Sequence, residues 1–344
     1  MILVTGGTGL LGSHLLCELA RDHKNIVAVK RSSSNLEEVK RVFSYYGQEA
    51  EELFSRVVWV DVNLCSQLDL ESVLERVDQV YHCSAMVSFD PRERRKMIAY
   101  NVDSTASVVN ACQAAGVRKL VHVSSSSTIG RSAEGTKANE TMIWTRTKHS
   151  SGYSISKFKS EMEVWRGIED GLNAVIVNPT IILGPGFWDH GSSSMFSRIS
   201  KGLRVATPGI TGFVGIQDVV TAMTTLMASD ISGERFILNS GNHSFLEVFR
   251  MISGALQLYG KHPKSRRHFR TVSATPLDIL AKLDSVVGII TGTRHLTSEQ
   301  VYSAFSVAKF SNEKIRKAIR IEFTPIVEVI DKVASIYVKE HPKG

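Results

Sequence analysis

Short apolar runs and helix-period stretches alternate through the first half of the chain. Met1-Ile2-Leu3-Val4-Thr5 reads as a first strand. Further strands are predicted at 25–29, 57–60, 79–83, 119–123 and 174–177. Helical stretches lie between them, most clearly at 92–115 and 153–170. Strands that alternate with helices call for right-handed crossovers and a doubly wound parallel sheet covered on both faces, an α/β fold. Ligands of such sheets bind at the carboxyl ends of the strands. After Pro179 the rhythm changes. Gly184-Pro185-Gly186 breaks it, serines crowd 192–194, and two more strands are predicted at 213–216 and 235–239. From about 242 the pattern is mostly helix and loop. The expected division is a nucleotide-binding lobe of 1–180 that takes back about 212–240. A smaller C-terminal substrate lobe, 181–211 with 241–344, completes it.

The first strand runs directly into Gly6-Gly7-Thr8-Gly9-Leu10-Leu11-Gly12 and then into a helical run from Ser13 to Arg21. Strand, glycine turn and helix in that order form a device for holding a dinucleotide pyrophosphate. The glycines allow the tight bend and the close approach of phosphates, and the helix N-terminus offers free N–H groups and a positive dipole end. No leader is expected ahead of this strand.

Composition narrows the class. With 344 residues, 43% hydrophobic and 22% charged, the chain can bury a full core. No run is long and apolar enough to span a membrane. The segment 277–290 reads as an amphipathic helix of the substrate lobe. The four cysteines, Cys17, Cys65, Cys83 and Cys112, show no paired spacing, which suits reduced thiols in the cytoplasm. The histidines form no ligand cluster, so no metal is expected. The net charge of +7 is densest at 261–270. That stretch reads as a solvated basic loop, with a substrate carrying phosphate or CoA, or an anionic membrane surface, as the other readings; no nucleic-acid partner is expected.

Three further places carry chemistry. Strand two ends in Lys30-Arg31-Ser32, where an NAD site carries an acid; a guanidinium there pairs with a 2′-phosphate and favours NADP(H) over NAD(H). Asp61-Val62 closes strand three, where the carboxylate can meet an adenine amino group or cap the next helix. Tyr153 and Lys157 stand four apart, on one face of a helix. A phenol is a poor acid–base group at neutral pH until a neighbouring ammonium favours its phenolate. Strand five runs into Ser124-Ser125-Ser126-Ser127, hydroxyls that can orient a reacting oxygen against the phenol. Ser154-x-x-Lys157 also fits a Ser/Lys hydrolase pattern, but no nucleophile elbow accompanies it.

The chain resembles the extended short-chain dehydrogenase/reductases. The resemblance rests on Thr5-Gly6-Gly7-Thr8-Gly9-Leu10-Leu11-Gly12, His82-Cys83-Ser84-Ala85, Asn101-Val102, Ser124-Ser125, Tyr153-x-x-x-Lys157, Asn178-Pro179-Thr180 and 213–220, in that order. It is clear over about 1–250 and loose in the tail. It implies a Rossmann sheet and an NAD(P)-dependent oxidoreductase. Gly6, Gly9 and Gly12 would hold the pyrophosphate, Asp61 and Val62 the adenine, and Ser84, Ala85, Asn178 and Pro179 would line the cofactor. Tyr153 would be the acid–base group, Lys157 would bind the ribose, and Asn101 would support the site. Ser125 is chosen as the catalytic hydroxyl, with Ser124 and Ser126 open. Met86, Trp144 and Asn178 are the expected substrate contacts. A homodimer through the helices at 92–115 and 153–170 is implied. Within the family, the reductase branch, similar to dihydroflavonol reductases and 3β-hydroxysteroid dehydrogenases, fits better than nucleotide-sugar epimerases. The latter usually place an arginine where Thr211-Gly212 stands. A non-catalytic NADP-binding regulator is the third reading, and such proteins usually lack the tyrosine or lysine.

Overall fold

A computed structural model describes residues 1–88, 90–133, 135–148, 150–260, 269–271, 302 and 304–342. Seven strands build one sheet: β1 (Ile2–Thr5), β2 (Ile26–Lys30), β3 (Val57–Asp61), β4 (Gln79–His82), β5 (Lys119–Val123), β6 (Ala174–Pro179) and β10 (Glu234–Leu238). Their order is β3-β2-β1-β4-β5-β6-β10, every pair parallel. The chain reverses direction between β1 and β4. The crevice outside their carboxyl ends is therefore where such a sheet binds its ligand.

Alternate residues on each strand feed opposite cores. Val4, Ala28, Val121 and Val175 pack with α1 (Leu10–Asp22) and α8 (Ile216–Ala228) on one face. Leu3, Val27, Val80, Leu120 and Ile176 pack on the other with α4 (Gln67–Leu74), α5 (Arg94–Ala114) and α6 (Gly152–Glu169). Helices α2 (Leu36–Ser44) and α3 (Ala50–Ser55) cover the β2–β3 edge through Val39, Phe43 and Leu53.

Beyond β6 the chain makes a smaller layer. Strands β7 (Ile181–Leu183), β9 (Ile210–Gly215) and β11 (Gly241–Ser244) form a three-stranded sheet. The strand expected at 213–216 is thus longer than anticipated and lies in this small sheet, while α8 and β10 return to the large one. Helices α7 (Ser194–Ser200), α9 (Phe245–Leu258) and α11 (Ile326–Glu340) share a third core built on Phe196, Phe213, Val248, Ile252, Ile330 and Tyr337. The remaining described elements are β8 (Val205–Ala206), its partner β12 (Arg270–Thr271) and α10 (Glu313–Ile319). After residue 304 the chain pairs with Ile210 of β9 and with the loop at Ala138. Ala138 N–H donates to the Lys309 carbonyl at 2.7 Å, and Ser311 N–H to the Ala138 carbonyl at 2.8 Å. The segment 277–290 and most of the basic run at 261–270 lie outside the described residues.

Candidate active site

The glycine turn sits at the reversal point. Gly6 has φ 71°, a left-handed conformation that favours glycine. A Cβ on Gly6 would lie 2.7 Å from the Cys83 carbonyl carbon, and one on Gly12 would lie 2.2 Å from the Gly6 carbonyl oxygen. The turn is therefore pressed between the end of β4 and the first turn of α1. Gly9 is exposed, and a Cβ there would meet only the Gly6 carbonyl oxygen, at 3.5 Å. No side chain caps the N-terminus of α1, and its first turn holds no acid. Free N–H groups and an open backbone are what a pyrophosphate needs. Thr8, Leu10 and Leu11 are part-exposed along this lip, and Gly7 is buried against Leu16.

Next to it, Lys30 ends β2 and lies opposite Asp61 in register. Arg31 is exposed and opens a tight turn. Its N–H donates to Ser34 Oγ at 3.1 Å, and its carbonyl accepts from Ser34 N–H at 2.9 Å. Asp61 is exposed and Val62 is buried. The fit to a dinucleotide is thus a matter of backbone shape at the turn, with Lys30, Arg31 and Asp61 beside it.

Beyond β4, Ser84, Ala85 and Met86 are part-exposed. Asn101 on α5 clasps this loop from below. Its Oδ1 accepts from Met86 N–H at 2.7 Å, and its Nδ2 donates to the Met86 carbonyl at 2.9 Å and to Ser156 Oγ at 3.1 Å. Asn101 is 2% exposed, so it holds the loop and presents no surface of its own. Under it, His82 bridges Thr5 Oγ1 at 2.7 Å and Thr105 Oγ1 at 3.1 Å, and stacks beside His122 with ring centroids 5.2 Å apart.

Helix α6 opens with Ser151, whose hydroxyl accepts from Ser154 N–H at 3.0 Å, an N-cap that fixes where the helix begins. Tyr153 and Lys157 follow on the face toward the end of β5. Tyr153 is half-buried with the Ser125 side chain beside it; burial pushes its phenol up, and Ser125 acts in the opposite sense. Lys157 Nζ donates to the Val123 carbonyl at 2.8 Å. Burial brings this ammonium down to about 8, against Cys83 and Glu161, which raise it. Ser125 begins a single 3₁₀ turn over Ser126–Thr128, and its own hydroxyl accepts from Ser127 N–H at 3.2 Å. Ser124 is buried, with its hydroxyl 2.5 Å from Glu161 Oε2. Ser125, and not Ser124, therefore faces Tyr153.

The structure brings Ser125, Tyr153, Lys157 and the Asn101-held loop together beside the glycine turn. Three expected contacts point elsewhere. Asn178 is fully buried, and its Nδ2 donates to the Ser125 carbonyl at 3.2 Å, Thr128 Oγ1 at 2.9 Å and Glu161 Oε2 at 2.9 Å. Pro179 is buried within β6. Trp144 stacks on Phe158 of α6, centroids 4.4 Å apart, at the outer side of the 130–148 loop. The sequence reading missed Glu161, Thr128 and Arg235, which lie under the site. The available signal was spacing: Glu161 falls one turn beyond Lys157 and two beyond Tyr153 on the same helix.

A family profile described as the NAD dependent epimerase/dehydratase family matches residues 2–239. The chain belongs to that family. It is an NAD(P)-dependent oxidoreductase of the extended short-chain dehydrogenase/reductase type. Sterol demethylase protein B of Methylococcus capsulatus is 31% identical over 271 residues, 77% of this chain and 76% of that protein. Tetraketide alpha-pyrone reductase 2 of Arabidopsis thaliana is 26% identical over 265 residues, covering 73% and 81%. Among solved structures, gox2253 superposes with a TM-score of 0.79 at 23% identity over 99% and 98% of the two chains, which shows the shared fold. Reductases and an epimerase both occur among the relatives of this family member. No helix among the described residues is long and apolar enough to cross a membrane.

Proposed function

We propose that the chain is an NADP(H)-dependent carbonyl reductase, able to run in reverse as an alcohol dehydrogenase. The observation that carries this reading is the Ser125 side chain beside the Tyr153 phenol at the end of β5, with Lys157 one helical turn away. The turn from Gly6 to Gly12 would hold the pyrophosphate, Lys30 and Arg31 the 2′-phosphate, Asp61 and Val62 the adenine, and Ser84 and Ala85 the nicotinamide side. When bound, the nicotinamide supplies or accepts the hydride. Ser125 Oγ holds the substrate oxygen by a hydrogen bond. Tyr153 gives its phenolic proton to that oxygen during reduction and takes it back during oxidation. The Lys157 ammonium favours the phenolate left behind, which lowers the cost of proton transfer near neutral pH. Asn101 keeps Met86 against the substrate by gripping both its N–H and its carbonyl.

Thr211 and Gly212 at the start of β9 offer no cation for a nucleotide diphosphate, which supports the reductase over the epimerase reading. A small carbonyl or alcohol is the expected substrate class, and Met86 the side chain that selects it. Pairing of two copies through α5 and α6 belongs to the same proposal. So does a reducing compartment, which suits four unpaired cysteines. The test is to identify the nucleotide carried by the purified protein and then follow reduced-nicotinamide absorbance over a panel of carbonyls and alcohols. Net cofactor consumption matched by alcohol formed supports the reductase. Retained NAD⁺ with an interconverted nucleotide sugar and no net consumption overturns it.

A further inference from the structure

The redox step uses no carboxylate, yet Glu161 lies directly beneath it with no exposed surface. Each of its oxygens has a separate set of donors. Oε2 accepts from Ser124 Oγ at 2.5 Å, Thr128 Oγ1 at 2.7 Å and Asn178 Nδ2 at 2.9 Å. Oε1 accepts from the Arg235 guanidinium at 3.0 Å and from Trp165 Nε1 at 3.4 Å. The first set brackets Ser125 in the chain, and Asn178 also donates to the Ser125 carbonyl at 3.2 Å. The carboxylate itself is on α6, the helix that carries Tyr153 and Lys157. One buried group therefore ties the backbone on both sides of the serine to the helix that carries the tyrosine.

A buried, charged hub of this kind is rigid when every donor and acceptor is matched, and costly when one is lost. Its place between two reacting groups gives that rigidity a use. Correct alignment of a positioned hydroxyl against an acid–base group is worth a large part of a rate, and a displacement of about 1 Å can remove about 100-fold. Arg235 supplies the compensating charge from β10 and extends the hub outward, donating to the Glu140 and Met142 carbonyls at 2.7 Å and 3.1 Å. Those carbonyls begin the loop that leads to Trp144.

We infer that Glu161, backed by Arg235, is a positioning residue that sets the Ser125 hydroxyl against Tyr153, a role separate from the charge it places near Lys157. The inference rests on the reductase reading, because it needs Ser125 to take part in the chemistry.

The experiment is a double-mutant cycle on the full chain, with kcat, substrate KM and NADPH affinity measured for each variant. Glu161→Gln should lower kcat by about 10-fold or more in the wild-type background. In the Ser125→Ala background it should lower kcat by less than about 2-fold, because the group it positions is gone. NADPH affinity, measured with kcat at about pH 6 where Lys157 keeps its proton with or without the carboxylate, should stay within about 2-fold in both. A purely structural role would give the same factor in both backgrounds, and that result overturns the inference. An unchanged kcat for Glu161→Gln alone also overturns it. An unchanged kcat for Ser125→Ala removes the serine from the reaction and overturns the underlying reading along with the inference. Should Glu161→Gln fail to fold, Thr128→Val carries the same cycle with the carboxylate intact. Thr128→Ser, which restores the hydroxyl, should recover most of the lost kcat; failure to recover it overturns the inference.

Discussion

At the scale of single residues, the reacting groups were readable because they are polar side chains set at a strand end or at helical spacing. Ser125, Tyr153 and Lys157 are of that kind. Arg31 is another, and its test is direct. Arg31→Ala should raise KM for NADPH by about 10-fold, the loss of one charge-assisted pair, and change KM for NADH by less than about 2-fold. Equal changes would remove the 2′-phosphate from the reading. Lys157 predicts a pH dependence. Its ammonium, brought down to about 8 by burial, is charged below that pH and loses its proton above it. The kcat/KM for NADPH, which reports the free enzyme, should therefore fall above about pH 8. In Lys157→Arg, where the cation persists, that fall should be absent whatever the absolute rate. Glu161 was not readable. A glutamate on a helix reads as a solvated charge, and only the fold shows that its face turns inward onto Ser124 and Thr128.

At the scale of elements, periodicity located the strands and long helices of the large sheet, because alternate apolar residues face two cores. β5 falls at 119–123 as expected, while β6 runs two residues further, to Pro179. The small sheet was less visible. β7 has three residues, and its partners are some thirty positions away in the chain, so no local pattern announces the pairing. Sequence also named the glycine turn without saying why each glycine is there. Gly12 is held by the approach of the Gly6 carbonyl and Gly6 by its positive φ. Gly12→Ala should cost about 1–3 kcal/mol of stability through overpacking, measured by urea unfolding, and should weaken nucleotide binding as well. A change below about 0.5 kcal/mol would mean that the contact relaxes freely.

At the scale of the whole molecule, three histidines are sealed in the body that joins the two layers. His14 Nε2 donates to the Pro185 carbonyl at 2.9 Å and its Nδ1 meets the Tyr46 hydroxyl, so it links α1 to the loop that enters the smaller layer. Burial holds His14 down to about 4 and His82 down to about 3, and His122 also lies well below the ordinary range. The unfolded chain takes up these protons near pH 6.5 while the fold refuses them. Stability should therefore be full above about pH 6.5 and fall as pH drops from there toward 4, by about 1.4 kcal/mol per unit for each histidine. Urea midpoints across that range test this, and a flat profile would contradict it. None of this was legible in the chain, because a histidine on a strand or helix carries no mark of its burial until the layers close.

The most direct test of the redox reading is the turnover of Tyr153→Phe on the best carbonyl substrate, beside its affinity for NADPH. The predicted result is a loss of about 100-fold or more in kcat with NADPH binding within about 3-fold of the parent. Turnover at the parent rate would contradict a reaction that depends on this phenol.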